Sequence, residues 1–107
     1  ERLEESVALI ERAVENDPHN GSYLDSLGWA YFKLDRLDLA EPPLRAAGEQ
    51  LQQNSVVQDH LGDLLVRLGR YSEAIEAWQR ALDGDGEAID SGAIEQKIDD
   101  TRRRVDR

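Results

Sequence analysis

Residues 24–34 read LDSLGWAYFKL, and residues 58–68, which lie 34 positions further along the chain, read QDHLGDLLVRL. A leucine–glycine pair coincides in the two stretches. Self-similarity at a fixed period of this size is typical of helical repeat proteins. The identities at this offset include Leu27 with Leu61, Gly28 with Gly62, Arg36 with Arg70, Ala40 with Ala74 and Ala47 with Ala81.

The offset divides the chain into segments. Residues 21–54 and 55–88 form two full units, and 1–20 matches the second half of an earlier unit followed by a turn. Within each unit, apolar residues recur every three or four positions on both sides of a polar break, which predicts two helices. Gly69 lies at the break of the second unit, where a glycine can adopt positive φ and end a helix.

Small residues recur where two antiparallel helices would cross. We expect Gly28 to approach Ala40, and Gly62 to approach Ala74, with the bulky Trp78 in the core. A glycine within a helix costs roughly 1 kcal/mol relative to alanine. A glycine at the equivalent position of both units therefore indicates a packing role.

Two adjacent prolines interrupt the second helix of the first unit. Pro42 and Pro43 each remove a backbone donor and disfavour α geometry in the residue before them. The sequence therefore predicts a late start or a bend in that helix.

The recurring leucine–glycine, aromatic and alanine positions resemble the tetratricopeptide repeat family, which shares this period and the helix–turn–helix unit. Asp35 departs from the family pattern, which often has glycine there. The resemblance covers about residues 1–88. It implies an all-α fold of antiparallel helix hairpins stacked into a right-handed superhelix. Residues 24–34 look like repeats of bacterial multi-repeat proteins, so we expect the C-terminal part of a longer bacterial protein.

Residues 89–107 lack the repeat pattern. Ser91 is expected to cap a last helix on which Ile94, Ile98 and Val105 form one thin apolar stripe. We expect this helix to be the polar terminal cap that an open stack of repeats requires.

Composition narrows the classes of function. The net charge of −10 disfavours nucleic acids and anionic membranes, and it favours basic or neutral protein partners. A saline environment would explain the acidity equally well. No apolar run approaches the roughly 20 residues that a membrane span requires. We expect a soluble chain, with the cytoplasm favoured over the periplasm.

The sequence offers no arrangement for catalysis. With no cysteine there is no thiolate metal site, and neither His19 nor His60 stands in a nucleophile–base–acid pattern. Residues 83–94 begin like a calcium loop, but Ile94 stands where the bidentate glutamate belongs. We therefore expect no catalytic residues, no metal site, no cofactor and no enzymatic activity.

A binding surface follows from the resemblance. In the family, the first helix of each unit lines the concave side, where peptides or partner helices dock. Aromatic anchors rimmed by charge suit such a surface. Its aspartates would repel an acidic tail, so a partner with apolar and basic residues is expected. The candidate partner-binding residues are Asp25, Trp29, Phe32, Lys33, Asp59, Asp63, Val66 and Arg67.

Two other interpretations stay open. The segment could act as a spacer, or it could self-associate as a homodimer through the apolar edge of its first helix, within residues 1–16. It could also be an accessory repeat region of a larger multidomain protein or enzyme.

Overall fold

The computed structural model describes residues 2–105, and within this range all regular structure is helical. The chain divides into two compact units, Glu1–Leu51 and Gln52–Arg107. From here on, the first unit and the second unit are these two parts of the chain. Glu1, Asp106 and Arg107, which the sequence segments 1–20 and 89–107 include, lie outside the described residues. The helices are α1 Arg2–Asn16, α2 Gly21–Lys33, α3 Leu37–Gln50, α4 Ser55–Arg67, α5 Tyr71–Asp83 and α6 Ser91–Val105. The predicted all-α fold of helix hairpins is confirmed.

In the first unit, α2 packs against α3 and α1 packs against α2. The close approach of α2 and α3 depends on Gly28. A Cβ atom at this position would overlap the Leu44 side chain and lie 3.1 Å from the carbonyl oxygen of Ala40. The predicted approach of Gly28 to Ala40 is therefore confirmed, and Leu44 fills the rest of the crossing.

In the second unit, α4 packs against α5, and α6 packs against α5. Gly62 again lies at the crossing, but the group nearest to it is the indole of Trp78 and not Ala74. Trp78 is only 2% exposed, as its predicted place in the core requires. Its Nε1 faces Gly62 and has no hydrogen-bond partner, because the ring edge packs on a glycine that presents no acceptor.

The sequence predicted a late start or a bend in α3; the late start is wrong, and the bend stays a prediction. The helix begins at Leu37, five residues before Pro42, and it continues through both prolines. Ala40 and Leu44, which flank the prolines, are completely buried, and their packing holds the helix together across them. The prolines lack the N–H groups that would otherwise donate to the carbonyl oxygens of Asp38 and Leu39.

An asparagine caps the N-terminus of α2 and another caps that of α4. Asn20 Oδ1 accepts a hydrogen bond from Tyr23 N at 3.0 Å, and Asn54 Oδ1 accepts one from Val57 N at 3.1 Å. The prediction that Ser91 caps α6 is wrong. Asp90 takes this position, because its Oδ1 accepts from Ala93 N at 3.1 Å.

The polar break inside each unit has the same backbone conformation. Gly69 has φ +78°, as predicted for a glycine that ends a helix, and Asp35 has φ +60° at the equivalent place. Aspartate is among the few residues with a side chain that adopt this region at modest cost. The two turns are thus equivalent although their residues differ.

Within each unit, a polar side chain forms hydrogen bonds where the start of the first helix of the hairpin meets the end of the second. In the first unit, Gln50 Oε1 accepts from Gly21 N at 2.6 Å, and Gln50 Nε2 donates to the carbonyl oxygen of His19. A Cβ atom at Gly21 would overlap the Gln50 amide. The junction therefore requires glycine at position 21.

In the second unit the same two positions hold Ser55 and Gly84. Ser55 Oγ donates to the carbonyl oxygen of Ala81 at 2.6 Å and accepts from Gly86 N at 2.8 Å. A Cβ atom at Gly84 would lie 2.8 Å from Ser55 Oγ. Each junction thus has space for one polar side chain, and the two units supply it from opposite helix ends.

The turn conformation can be tested at Gly69. Gly69→Ala should lower the free energy of unfolding by about 1 kcal/mol, because alanine is strained at positive φ. A Cβ atom there meets nothing within 4 Å, so the loss would come from the backbone alone. Urea unfolding followed by circular dichroism measures the change.

Gly92→Ala is the matched control, because Gly92 lies in the first turn of α6 without positive φ. This substitution should leave stability unchanged or raise it by up to about 1 kcal/mol. Equal losses in the two variants would contradict the assignment of strain to Gly69.

Candidate functional site

The candidate residues of the first unit lie on one face of α2. Asp25, Trp29 and Phe32 are spaced four and three residues apart, which places them above one another on a helix. The rings of Trp29 and Phe32 stack with centroids 4.6 Å apart and an angle of 9° between their planes. Both aromatic residues are partly exposed, and Lys33 follows as the exposed last residue of the helix.

In the second unit, the two candidate aspartates bind a lysine of the same chain. Lys97 Nζ on α6 lies 2.9 Å from Asp59 Oδ1 and 2.8 Å from Asp63 Oδ1 on α4. The same Nζ lies 5.8 Å from the centroid of the buried Trp78 ring, within the range of a cation–π interaction. The α4 face therefore already holds a cation, which comes from α6.

The ionisation of this cluster reflects partial burial and shared charge. Burial raises the pKa of Asp63, and the hydrogen bond and charge of Lys97 offset only part of that rise. Burial alone would lower the pKa of Lys97, but hydrogen bonds and charges from Asp63 and Asp59 outweigh it and raise that pKa. The two aspartates thus favour the charged form of Lys97, and Lys97 favours the ionised form of Asp63.

Sequence reasoning missed Lys97. It is one of two lysines in the chain, and it borders the apolar stripe of α6 between the buried Ile94 and Ile98. A cation beside a buried stripe, and two aspartates one turn apart on another helix, were the available signals. The sequence did not show that α6 brings them together.

The remaining candidates of the second unit, Val66 and Arg67, line a cleft of about 280 Å³ beside the cluster. Val66 is partly buried and Arg67 is exposed. Thr101 and Arg104 of α6 form the other wall. The structure thus brings Asp59, Asp63, Val66 and Arg67 together along α4, with α6 beside them.

Two searches of the described part of the chain give no candidates. Residues 2–105 hold no group of three or more histidine, cysteine, aspartate or glutamate side chains placed to bind a metal ion. Among the helices in this range, none has the length and apolar character needed to cross a membrane.

Comparison with known proteins identifies the family. The tetratricopeptide repeat profile matches residues 1–54 and 60–91, which is most of the chain. The chain belongs to the tetratricopeptide repeat family. Repeats of this family are protein–protein interaction modules. A search of curated proteins found no match to the chain.

Solved structures agree with this assignment. MamA AMB-1 in its P212121 crystal form is 29% identical, with a TM-score of 0.82 over 97% of this chain. MamA MSR-1 in its C2 form is 28% identical, with a TM-score of 0.80. The chain spans 60% and 58% of the length of these two proteins. The tetratricopeptide domain of Sgt2 from Aspergillus fumigatus is 20% identical, with a TM-score of 0.85 over 98% of this chain and 69% of its own, and shares the fold.

The lysine cluster can be tested by Lys97→Met. This variant should lower the free energy of unfolding by about 1–2 kcal/mol at pH 7, because two partly buried aspartates lose their shared cation. The deficit relative to wild type should shrink as the pH falls from about 7 to 4. Burial raises the pKa of Asp63 in the folded protein, so the folded variant binds a proton more tightly than the unfolded chain.

Arg103→Met is the control, since the Arg103–Asp100 pair is exposed, with an arginine side chain 67% accessible. That substitution should change stability by less than about 0.5 kcal/mol at any pH. Urea unfolding at several pH values provides both measurements. A Lys97→Met deficit that is independent of pH would exclude the electrostatic explanation.

Proposed function

We propose that the chain is a non-catalytic protein-binding module whose α2 face takes apolar and basic residues of a partner. The observation that carries the proposal is the stacked Trp29–Phe32 pair, which stays partly exposed on a helix with Asp25 one turn away. Large aromatic groups are among the anchors that dominate protein interfaces. Lys33 at the end of α2 would add a polar rim.

The second unit supports the choice of a basic partner. Asp59, which lies 34 residues after Asp25, contacts the amino group of Lys97 at 2.9 Å. We infer that the negative charge of Asp25 favours a lysine or arginine on the partner. In the second unit, Lys97 already occupies the aspartates, so partner contact there would fall to Val66 and Arg67.

Selection of random peptides displayed on phage against the immobilised chain tests the proposal. Selected peptides should combine aromatic or aliphatic residues with lysine or arginine, and peptides with acidic tails should be depleted. Trp29→Ala should weaken a selected peptide by about tenfold or more, as expected for a central aromatic anchor. Fluorescence anisotropy of the labelled peptide gives the affinities.

Tyr23→Ala is the matched control, because Tyr23 is an aromatic residue on α2 that is 41% exposed and lies off the Asp25–Trp29–Phe32 face. Its removal should leave the affinity unchanged. Equal affinity of wild type and Trp29→Ala for every selected peptide would exclude the α2 face as the binding site.

Self-association through α1 is a second candidate, favoured by one observation. Leu9 on α1 is 65% exposed, the largest exposure among the large hydrophobic residues of the described chain. If α1 pairs with a second copy, Leu9→Lys should convert a dimer into a monomer in sedimentation equilibrium. A wild-type chain that is monomeric at all concentrations examined would exclude this candidate.

A further inference from the structure

A groove on the first unit is separate from the α2 face described above. It has a volume of about 680 Å³ and lies between α2 and α3. Its wall on α2 consists of Leu24, Leu27 and Tyr31, and these residues are offset by about 130° around the helix from the Asp25–Trp29–Phe32 face. The groove is therefore a second surface that the proposed function does not use.

The two prolines form part of the wall on α3. Leu39, Pro42, Pro43 and Ala46 line it, and Leu39 is 43% exposed. Apolar side chains therefore line the groove on both α2 and α3.

The charge of the groove is acidic. Asp38 and Glu49 both belong to its lining, and no lysine or arginine does. His19 is the single basic side chain among the residues that line it. Lysine and arginine carry positive charge and hydrogen-bond donors, so they complement these carboxylates.

The groove-lining residues of α2 differ in exposure from their equivalents in the second unit. Leu24, Leu27 and Tyr31 are only partly buried. The residues 34 positions later are Gln58, Leu61 and Leu65, and they are at most 5% exposed. The first unit therefore presents more apolar surface at these positions than the second unit does.

We propose that this groove binds an amphipathic helix of another protein, whose apolar stripe is flanked by lysine or arginine. A groove between two helices accepts a third helix by the packing of side-chain ridges. The lined stretch of α3 runs from Asp38 to Gln50, about 18 Å at the helical rise, and matches a partner helix of about 12 residues. A second copy of the chain is a poorer fit, because its net charge is −10.

The test uses a synthetic peptide of about 14 residues, long enough to fill the groove, with leucine every three or four positions and lysine elsewhere. Its control is the same peptide with glutamate in place of lysine. The leucine–lysine peptide should bind in fluorescence anisotropy, and the leucine–glutamate peptide should not. Equal binding of both peptides, or of neither, would overturn the proposal.

Leu39→Lys should weaken the leucine–lysine peptide by about tenfold or more, because an apolar contact is replaced by a repelled charge. Val105→Lys on α6 is the matched control, since Val105 is 45% exposed and the substitution makes the same change in charge. Its effect should be small. Equal weakening by the two substitutions would show that the peptide is attracted only by the overall negative charge of the protein. It would refute the groove as the binding site.

Trp29→Ala provides the comparison with the α2 face, which also favours apolar and basic residues. Leu39→Lys should weaken the leucine–lysine peptide more than Trp29→Ala does. The opposite order would place the peptide on the α2 face and overturn the proposal.

Discussion

The close approach of two helices at a glycine is the constraint on which each unit depends. Gly28 has space for no side chain because Leu44 and the Ala40 carbonyl oxygen fill it, and Gly62 is covered in the same way by Trp78. A larger residue at either position would force the hairpin apart and expose the alanines that line it. Each hairpin has one such contact, and the glycines that form it lie 34 residues apart, which is the period of the sequence.

The features that recur with the period could be predicted from the sequence. Helix number, the hairpin fold, the glycine crossing in the first unit and the positive φ of Gly69 all follow from small and large residues returning in phase. Predictions from single local signals were less successful. The prolines did not delay α3, because buried Ala40 and Leu44 outweigh the local preference, and Asp90 displaced Ser91 as the cap of α6.

The candidate site was only partly accessible to sequence reasoning. The face of α2 follows from helical spacing, and the stacked aromatic pair lies on it. The lysine cluster depends on how α6 lies beside α4. Since α6 does not belong to the repeating part of the sequence, the 34-residue period does not predict this arrangement. The groove was equally hidden. Two prolines contribute to its lining, and their positions there depend on α3 remaining helical around them.

The residues at the two ends of each hairpin are matched to each other. Gln50 fills the space that a side chain at position 21 would need, and Gly84 leaves space for Ser55. A recombinant that joined the first helix of one unit to the second helix of the other would bring Ser55 against Gln50, with two side chains in one space. The reciprocal product would bring Gly21 against Gly84 and leave the junction empty. We expect recombination between hairpins to preserve this match and recombination within a hairpin to break it.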